Sequence, residues 1–421
     1  MTDVLETADR LFTGAIDPAD HHPFSQFGDL AEISPTTAFV AAFANASAFR
    51  TDDGLVVVDT SSPFLCAKVH ETLRTWNRER LDTAVFTHGH IDHCFGVDLY
   101  EAEAEQQGWT PPRVVAHEAI TARFERYVET AGYNGIINQR QFRTPEPFWP
   151  TTYRYPDETY RTRLDLDVGG ERFELHHARG ETDDHTWVWA PERKVLCTGD
   201  LFIWASPNCG NPQKAQRYAI EWARALETMA ALEPEVLLPG HGLPIVGSER
   251  VHAALTDTAA LLEYLHTETI TMMNEGARLD EIIHAVTPPT NLLARPYLRP
   301  IYDEPEFVVR NVWRLFGGWY DGDPAHLKPA PAAALAGELA DLAGGADRLA
   351  SRAVALAADG DLRLAGHLAE LAALAAPDDP KVHGARAEVN EQRVEAEAST
   401  MAKGIFGWAA RESRDKAGPT G

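Results

Sequence analysis

The sequence predicts an α/β region followed by an all-α region, and three observations carry that division. Up to about Glu249, short apolar runs alternate with helical stretches and turns, the pattern of sheets covered by helices. From about Arg250 onward the composition turns helical and alanine-rich. At 421 residues the chain exceeds what one ordinary core organises. The expected division is 1–250 and 251–413.

The elements follow in order. Thr37–Phe43 and Ala46–Arg50 read as strands, and the Asp52-Asp53-Gly54 turn leads into Leu55–Val58. That last run is continuously apolar up to Asp59, as a strand buried on both faces is. A helix over Cys66–Arg80 precedes a second buried strand, Thr83–Phe86. Arg113–Ala116, Arg172–His176, Thr186–Ala190, Lys194–Cys197 and Val236–Leu238 read as further strands. Tyr133–Tyr160 carries four prolines and several aromatic residues, which predicts an irregular substrate loop. In the helical region Leu364, Leu368, Leu371 and Ala375 fall at helical spacing. Gly344-Gly345, Asp359-Gly360 and the Pro377–Pro380 stretch separate antiparallel helices there, and the tail from Arg414 to Gly421 reads as frayed.

Charge and cysteine usage exclude several function classes. Acidic residues outnumber basic ones 63 to 38, for a net charge of -25. Nucleic acid and anionic membrane surfaces repel such a chain, which points to a small-molecule substrate. An anionic substrate needs a local basic pocket. No apolar run has the roughly 20 residues of a membrane helix, and the N-terminal residues lack a signal core. Four scattered cysteines form no disulfide framework. A cytoplasmic location is the expectation.

Chemistry concentrates in Thr87-His88-Gly89-His90-Ile91-Asp92-His93, directly after the buried strand Thr83–Phe86. A loop at a strand's carboxyl end aims several side chains into one cleft. His88 and His90 converge on one ion from an extended loop, while Asp92 and His93, at the expected start of a helix, face a second. Imidazole with carboxylate suits zinc, with manganese or iron also possible. Further ligands are available downstream: Asp200 after the strand Lys194–Cys197, and His241 between Gly240 and Gly242. The Gly180–His185 segment offers Glu181, with His185 as runner-up. Cys94, beside His93, reads as a small buried residue.

Taken in order, T-H-x-H-x-D-H, G-x-T, G-D and P-G-H-G resemble the metallo-β-lactamase superfamily. The matching G-x-T residue is Glu181 where many relatives have histidine, and glutamate there is similar to the alkylsulfatase branch. A second match, Glu306–Arg314 followed by Gly318–Pro324, resembles the alkylsulfatase dimerisation domain. The resemblance implies an αββα sandwich followed by a helical domain, a homodimer formed through that helical domain, and two Zn²⁺ ions per chain. It assigns one ion to His88, His90 and Glu181 and the other to Asp92, His93 and His241. Asp200 bridges them, and Asp59 orients a ligating histidine from behind. Asp92 and Asp200 are the implied catalytic carboxylates, with metal-activated hydroxide attacking an ester.

Sulfate esters are the first substrate class the resemblance implies. Relatives carry histidine and arginine around the sulfate after the bridging acid, whereas Leu201–Pro212 has neither. Arg140, Arg143 and Arg310 are the substitute anion-binding candidates, and Tyr133, Trp149 and Trp204 are candidate apolar lining. A lactone, thioester or phosphodiester hydrolase uses the same metals, and an iron-dependent oxygenase is a further alternative on this fold. From another class, a non-catalytic scaffold with a relic site stands against all of these.

Overall fold

The computed structural model describes residues 3–418. Two sheets form its centre. The first contains β1 (Asp29–Ser34), β2 (Thr37–Ala41), β3 (Ala46–Thr51), β4 (Gly54–Val58), β5 (Leu81–Val85), β6 (Arg113–His117) and β7 (Glu158–Tyr160), ordered in space as in sequence. The second contains β8 (Arg163–Val168), β9 (Glu171–His177), β10 (Thr186–Ala190), β11 (Val195–Ile203), β12 (Val236–His241) and β13 (Ile245–Val246), again in sequence order across the sheet. The inner faces share one apolar core, with Phe49 of the first sheet edge-on to Phe173 of the second at 5.3 Å.

The helices are α1 (Val4–Phe12), α2 (Cys66–Trp76), α3 (Val97–Gln107), α4 (Ile120–Glu129), α5 (Ala131–Phe142), α6 (Ala219–Ala230), α7 (Ser248–Asn274), α8 (Leu279–Ala285), α9 (Thr290–Leu293) and α10 (Pro305–Gly317). They continue with α11 (Pro324–Leu327), α12 (Ala332–Ala343), α13 (Ala346–Ala358), α14 (Leu362–Ala375), α15 (Pro380–Ala396) and α16 (Thr400–Ala417). α6 backs the second sheet, where the buried indole of Trp222 donates to the Leu201 carbonyl at 2.7 Å. Two packed sheets with helices, followed by a helical region, are the architecture the sequence predicts.

The described residues divide into two compact units. One is formed within Met1–Ala131 and Pro150–Gly318, the other within Gly132–Trp149 and Trp319–Gly421. The first unit therefore holds both sheets together with α6 to α10. In the second, α12 to α16 pack through small residues. Ala365, Ala369 and Ala372 form the buried row of α14, and alanines let helix axes approach closely.

Several expectations need correction. Leu364 is 46% exposed, so the buried stripe of α14 is the alanine row rather than the leucine row. The stretch from Tyr133 begins as α5, and only the residues after Phe142 are irregular up to β7. Arg414–Ala417 are helical, not frayed, while 419–421 lie outside the described residues. Asp92 and His93 sit in a turn, since α3 starts only at Val97, after Gly96 at φ 99°. The edge strands β1, β7, β8 and β13 and the helix α1 are additions to the sequence reading.

Candidate metal centre

Parallel pairing brings the site together. β4 and β5 run parallel, and so do β11 and β12, which puts the segments after β5 and the carboxyl-terminal parts of β11 and β12 at one end of the sandwich. β11 runs on to Ile203, so Asp200 lies within the strand and not beyond it.

The side chains meet in two groups. The ligand atoms of His88, His90, Glu181 and Asp200 lie within 4.8 Å of one another, as do those of Asp92, His93 and His241. Asp200 faces both groups: its carboxylate is 3.8 Å from His88 Nε2, 3.3 Å from His93 Nε2 and 3.2 Å from His241 Nε2. Glu181 Oε2 is 3.9 Å from His88 Nε2 and 3.8 Å from His90 Nδ1. Asp92 is 3.5 Å from His241 Nε2 and 3.9 Å from His93 Nε2.

Hydrogen bonds behind the histidines fix which nitrogen faces inward. His93 donates from Nδ1 to Asp59 Oδ2 at 2.8 Å, and His241 donates from Nδ1 to the Phe43 carbonyl. Thr87 donates its hydroxyl to Asp59 Oδ2 at 2.7 Å, so its oxygen is free to accept from His88 Nδ1 at 3.0 Å. These bonds use Nδ1 of all three rings and leave Nε2 facing the cluster. Asp59 reaches this position from a left-handed backbone conformation at the end of β4, with φ 59°. The sequence reading places Thr87 in the motif but assigns it no role; its adjacency to His88 is the available signal.

Glu181 is held by groups the sequence reading missed. Its Oε1 accepts from the Asn208 amide and from Arg217 at 2.5 Å, and Arg217 also donates to the Asn208 carbonyl. Asn311 of α10 anchors Arg217 in turn, accepting from its backbone N–H and donating to its carbonyl. Two basic residues, Lys214 and Arg217, follow directly after the Leu201–Pro212 stretch. Burial, with Arg217 nearby, pushes the Lys214 ammonium down to about 8 against the pull of Asp92 and Glu181.

Electrostatics suit coordination. Burial holds His88 and His90 well below the usual imidazole range, so both are neutral donors. Burial also opposes charge on His93, but Asp200, Asp59 and Asp92 outweigh it and raise its pKa. For Asp200 burial is outweighed by His241 and His93, which hold it well below the usual carboxylate range. A cation fits this donor set by a direct test. His93 Nε2, Glu181 Oε2 and Asp200 Oδ1 are buried with no hydrogen-bond partner, a costly arrangement unless a metal engages them. A Cβ on Gly240 would stand 2.1 Å from Asp200 Oδ1, so glycine there keeps the centre open.

The other candidates are placed as follows. His185 is in neither ligand group; it stacks on His88 at 4.6 Å, with Nε2 3.2 Å from the Thr198 carbonyl. Trp204 is fully buried and donates to the Leu243 carbonyl at 2.6 Å, packed beneath Gly242. Arg310 is half exposed on α10, 3.7 Å from Glu306. Tyr133, Arg140 and Arg143 are exposed residues of the second unit, to which Trp149 also belongs. Cys94 is buried, and burial pushes its thiol well up. Aromatic rings beside the centre include Phe24 and Phe43, 5.2 and 5.0 Å from the His241 ring, and Tyr127, 6.4 Å from the His90 ring.

Comparison with known proteins agrees with both halves of this picture. Residues 40–241 match the metallo-beta-lactamase superfamily, and residues 278–416 match the alkyl sulfatase dimerisation family. A linear primary-alkylsulfatase from a Pseudomonas strain is 27% identical over 350 residues, covering 78% of this chain and 66% of that protein. An (R)-specific secondary-alkylsulfatase from Pseudomonas sp. is 26% identical over 377 residues, covering 83% and 57%. Among solved structures, the stereoselective inverting sec-alkylsulfatase Pisa1 from Pseudomonas sp. superposes with a TM-score of 0.82 at 23% identity, over 93% of this chain and 66% of that one. This chain thus spans 57% to 66% of the length of these relatives. The chain carries a metallo-beta-lactamase superfamily region followed by an alkyl sulfatase dimerisation region, and these relatives are alkylsulfatases.

Proposed function

We propose that this protein is a metal-dependent hydrolase of sulfate esters, using two divalent cations. The observation that carries the reading is Asp200, whose carboxylate faces ligands of both groups: Oδ1 faces His93, and Oδ2 faces His241 and His88. In this assignment His88, His90 and Glu181 hold one ion, Asp92, His93 and His241 hold the other, and Asp200 spans both. Zinc is the first expectation for imidazole and carboxylate donors, with manganese and iron as the alternatives. Bound there, such ions supply an activated water near neutral pH and polarise the ester.

The remaining groups orient and compensate. Asp59 and Thr87 keep His93 and His88 in the ligating tautomer, while Arg217 and Asn208 leave one oxygen of Glu181 for the metal. Lys214 and Arg217 supply positive charge for an anionic ester in a chain whose net charge is -25. Phe24 and Phe43, beside His241, offer an apolar wall to the organic part of the substrate. Sulfate release from short alkyl and aryl sulfate esters by the zinc-loaded protein is the expected result. Turnover of a lactone, thioester or phosphodiester without any sulfate release would refute the substrate assignment.

We also propose that residues 1–250 carry catalysis and that the helical region 251–413 assembles a homodimer, which the dimerisation-family match supports. Light scattering at micromolar concentration should return twice the chain mass; a monomer would contradict this. No helix among the described residues is long and apolar enough to cross a membrane. The four free cysteines fit a reducing, cytoplasmic setting.

A further inference from the structure

Asp184 and Arg123 form a buried pair whose contacts reach the metal-binding segments without entering them. Asp184 is 1% exposed and Arg123 is 5% exposed. Asp184 Oδ2 accepts from the Gly89 backbone N–H at 2.8 Å, at the residue between His88 and His90. Its Oδ1 accepts from Arg123 Nε at 2.8 Å. Arg123 also donates to the Tyr127 hydroxyl at 3.2 Å and to Asp183. α4 is thereby clamped to the loop that carries Glu181 three residues earlier. The packing agrees: a Cβ on Gly89 would meet Arg123 Cδ at 2.8 Å, Ile120 at 3.0 Å and Phe124 at 3.1 Å.

We propose that the Arg123–Asp184 pair is a positioning device for one of the two ions, the one assigned to His88, His90 and Glu181; this rests on the metal reading above. One carboxylate ties the turn bearing two histidine ligands to the segment bearing the glutamate ligand, and so sets the distance between them. His93 and His241, ligands of the other group, are oriented instead by Asp59 and the Phe43 carbonyl. Loss of the clamp therefore falls on one ion and spares the other. Partners of this kind, one bond removed from the ligands, change metal affinity by about 10–100-fold.

The test is a zinc titration of folded protein against a competing chelator, with the wild type, Asp184→Ala and Arg123→Lys compared. Arg123→Lys keeps the charge but loses the planar fork that holds Asp184, Asp183 and Tyr127 in fixed directions, so it supplies the answer if Asp184→Ala fails to fold. The expected result is that one zinc is bound about 10–100-fold more weakly and the other with unchanged affinity. Activity should return at high zinc concentration. A lower melting temperature with both zinc affinities intact, or equal weakening of both ions, would overturn the clamp and leave the metal centre standing. A wild type that binds no zinc would remove the metal centre and the clamp together.

Discussion

Asp200→Asn should lower ester turnover by about 4 kcal/mol of transition-state stabilisation, roughly a thousandfold, with the fold retained. Asp200 is buried and faces imidazoles of both ligand groups. Asparagine preserves its volume but offers one oxygen where the carboxylate has two. Its amide NH₂ would then point at an imidazole lone pair, or at a cation. The substitution also deprives His93 and His241 of the carboxylate that raises both their pKa values. The measurement is kcat against a sulfate ester at saturating zinc, alongside a melting curve. A loss of less than tenfold would mean that Asp200 does not join the two halves of the site.

Arg217→Met should destabilise the metal-free protein by about 3–5 kcal/mol, the usual cost of leaving one member of a buried ion pair alone. Arg217 and Glu181 are almost fully enclosed, with side chains 2% and 1% exposed at 2.5 Å separation. Burial already raises the Glu181 carboxyl well above its usual range, and Arg217 is the group that opposes this. Adding Glu181→Gln to Arg217→Met should recover most of the loss, because neither charge is then buried unpaired. Zinc loading should shrink the loss in the single variant, since the ion supplies the missing positive charge. Chemical denaturation of the wild type, the single variant and the double variant, with and without zinc, checks this. An equal loss in the single and double variants would assign the effect to packing of the arginine stem.

The central chemistry was legible because it is local. His88, His90, Asp92 and His93 are compressed into one loop after a buried strand, and β4 is buried along its whole length as its apolar run requires. Glu181, Asp200 and His241 were legible through glycine-bearing motifs at or near strand ends. What could not be read was set by contacts distant in sequence. Asn208 and Arg217 meet Glu181 across 27 and 36 residues, and Asp184 meets Gly89 across 95. No spacing rule announces such pairs. α5 was missed for another reason: two glycines and two asparagines in AGYNGIINQRQF argue against a helix that tertiary packing nevertheless enforces. β8 alternates exposed and buried positions toward its end, a weak signal of period two that the sequence reading overlooked.

The most direct test is elemental analysis of the folded wild-type protein after equilibration with zinc and removal of loosely bound ions. Two equivalents per chain is the predicted result, falling when His88 and His93 are replaced in turn. A chain that retains no transition metal, or that keeps two equivalents after both replacements, would contradict a paired cation centre at these residues.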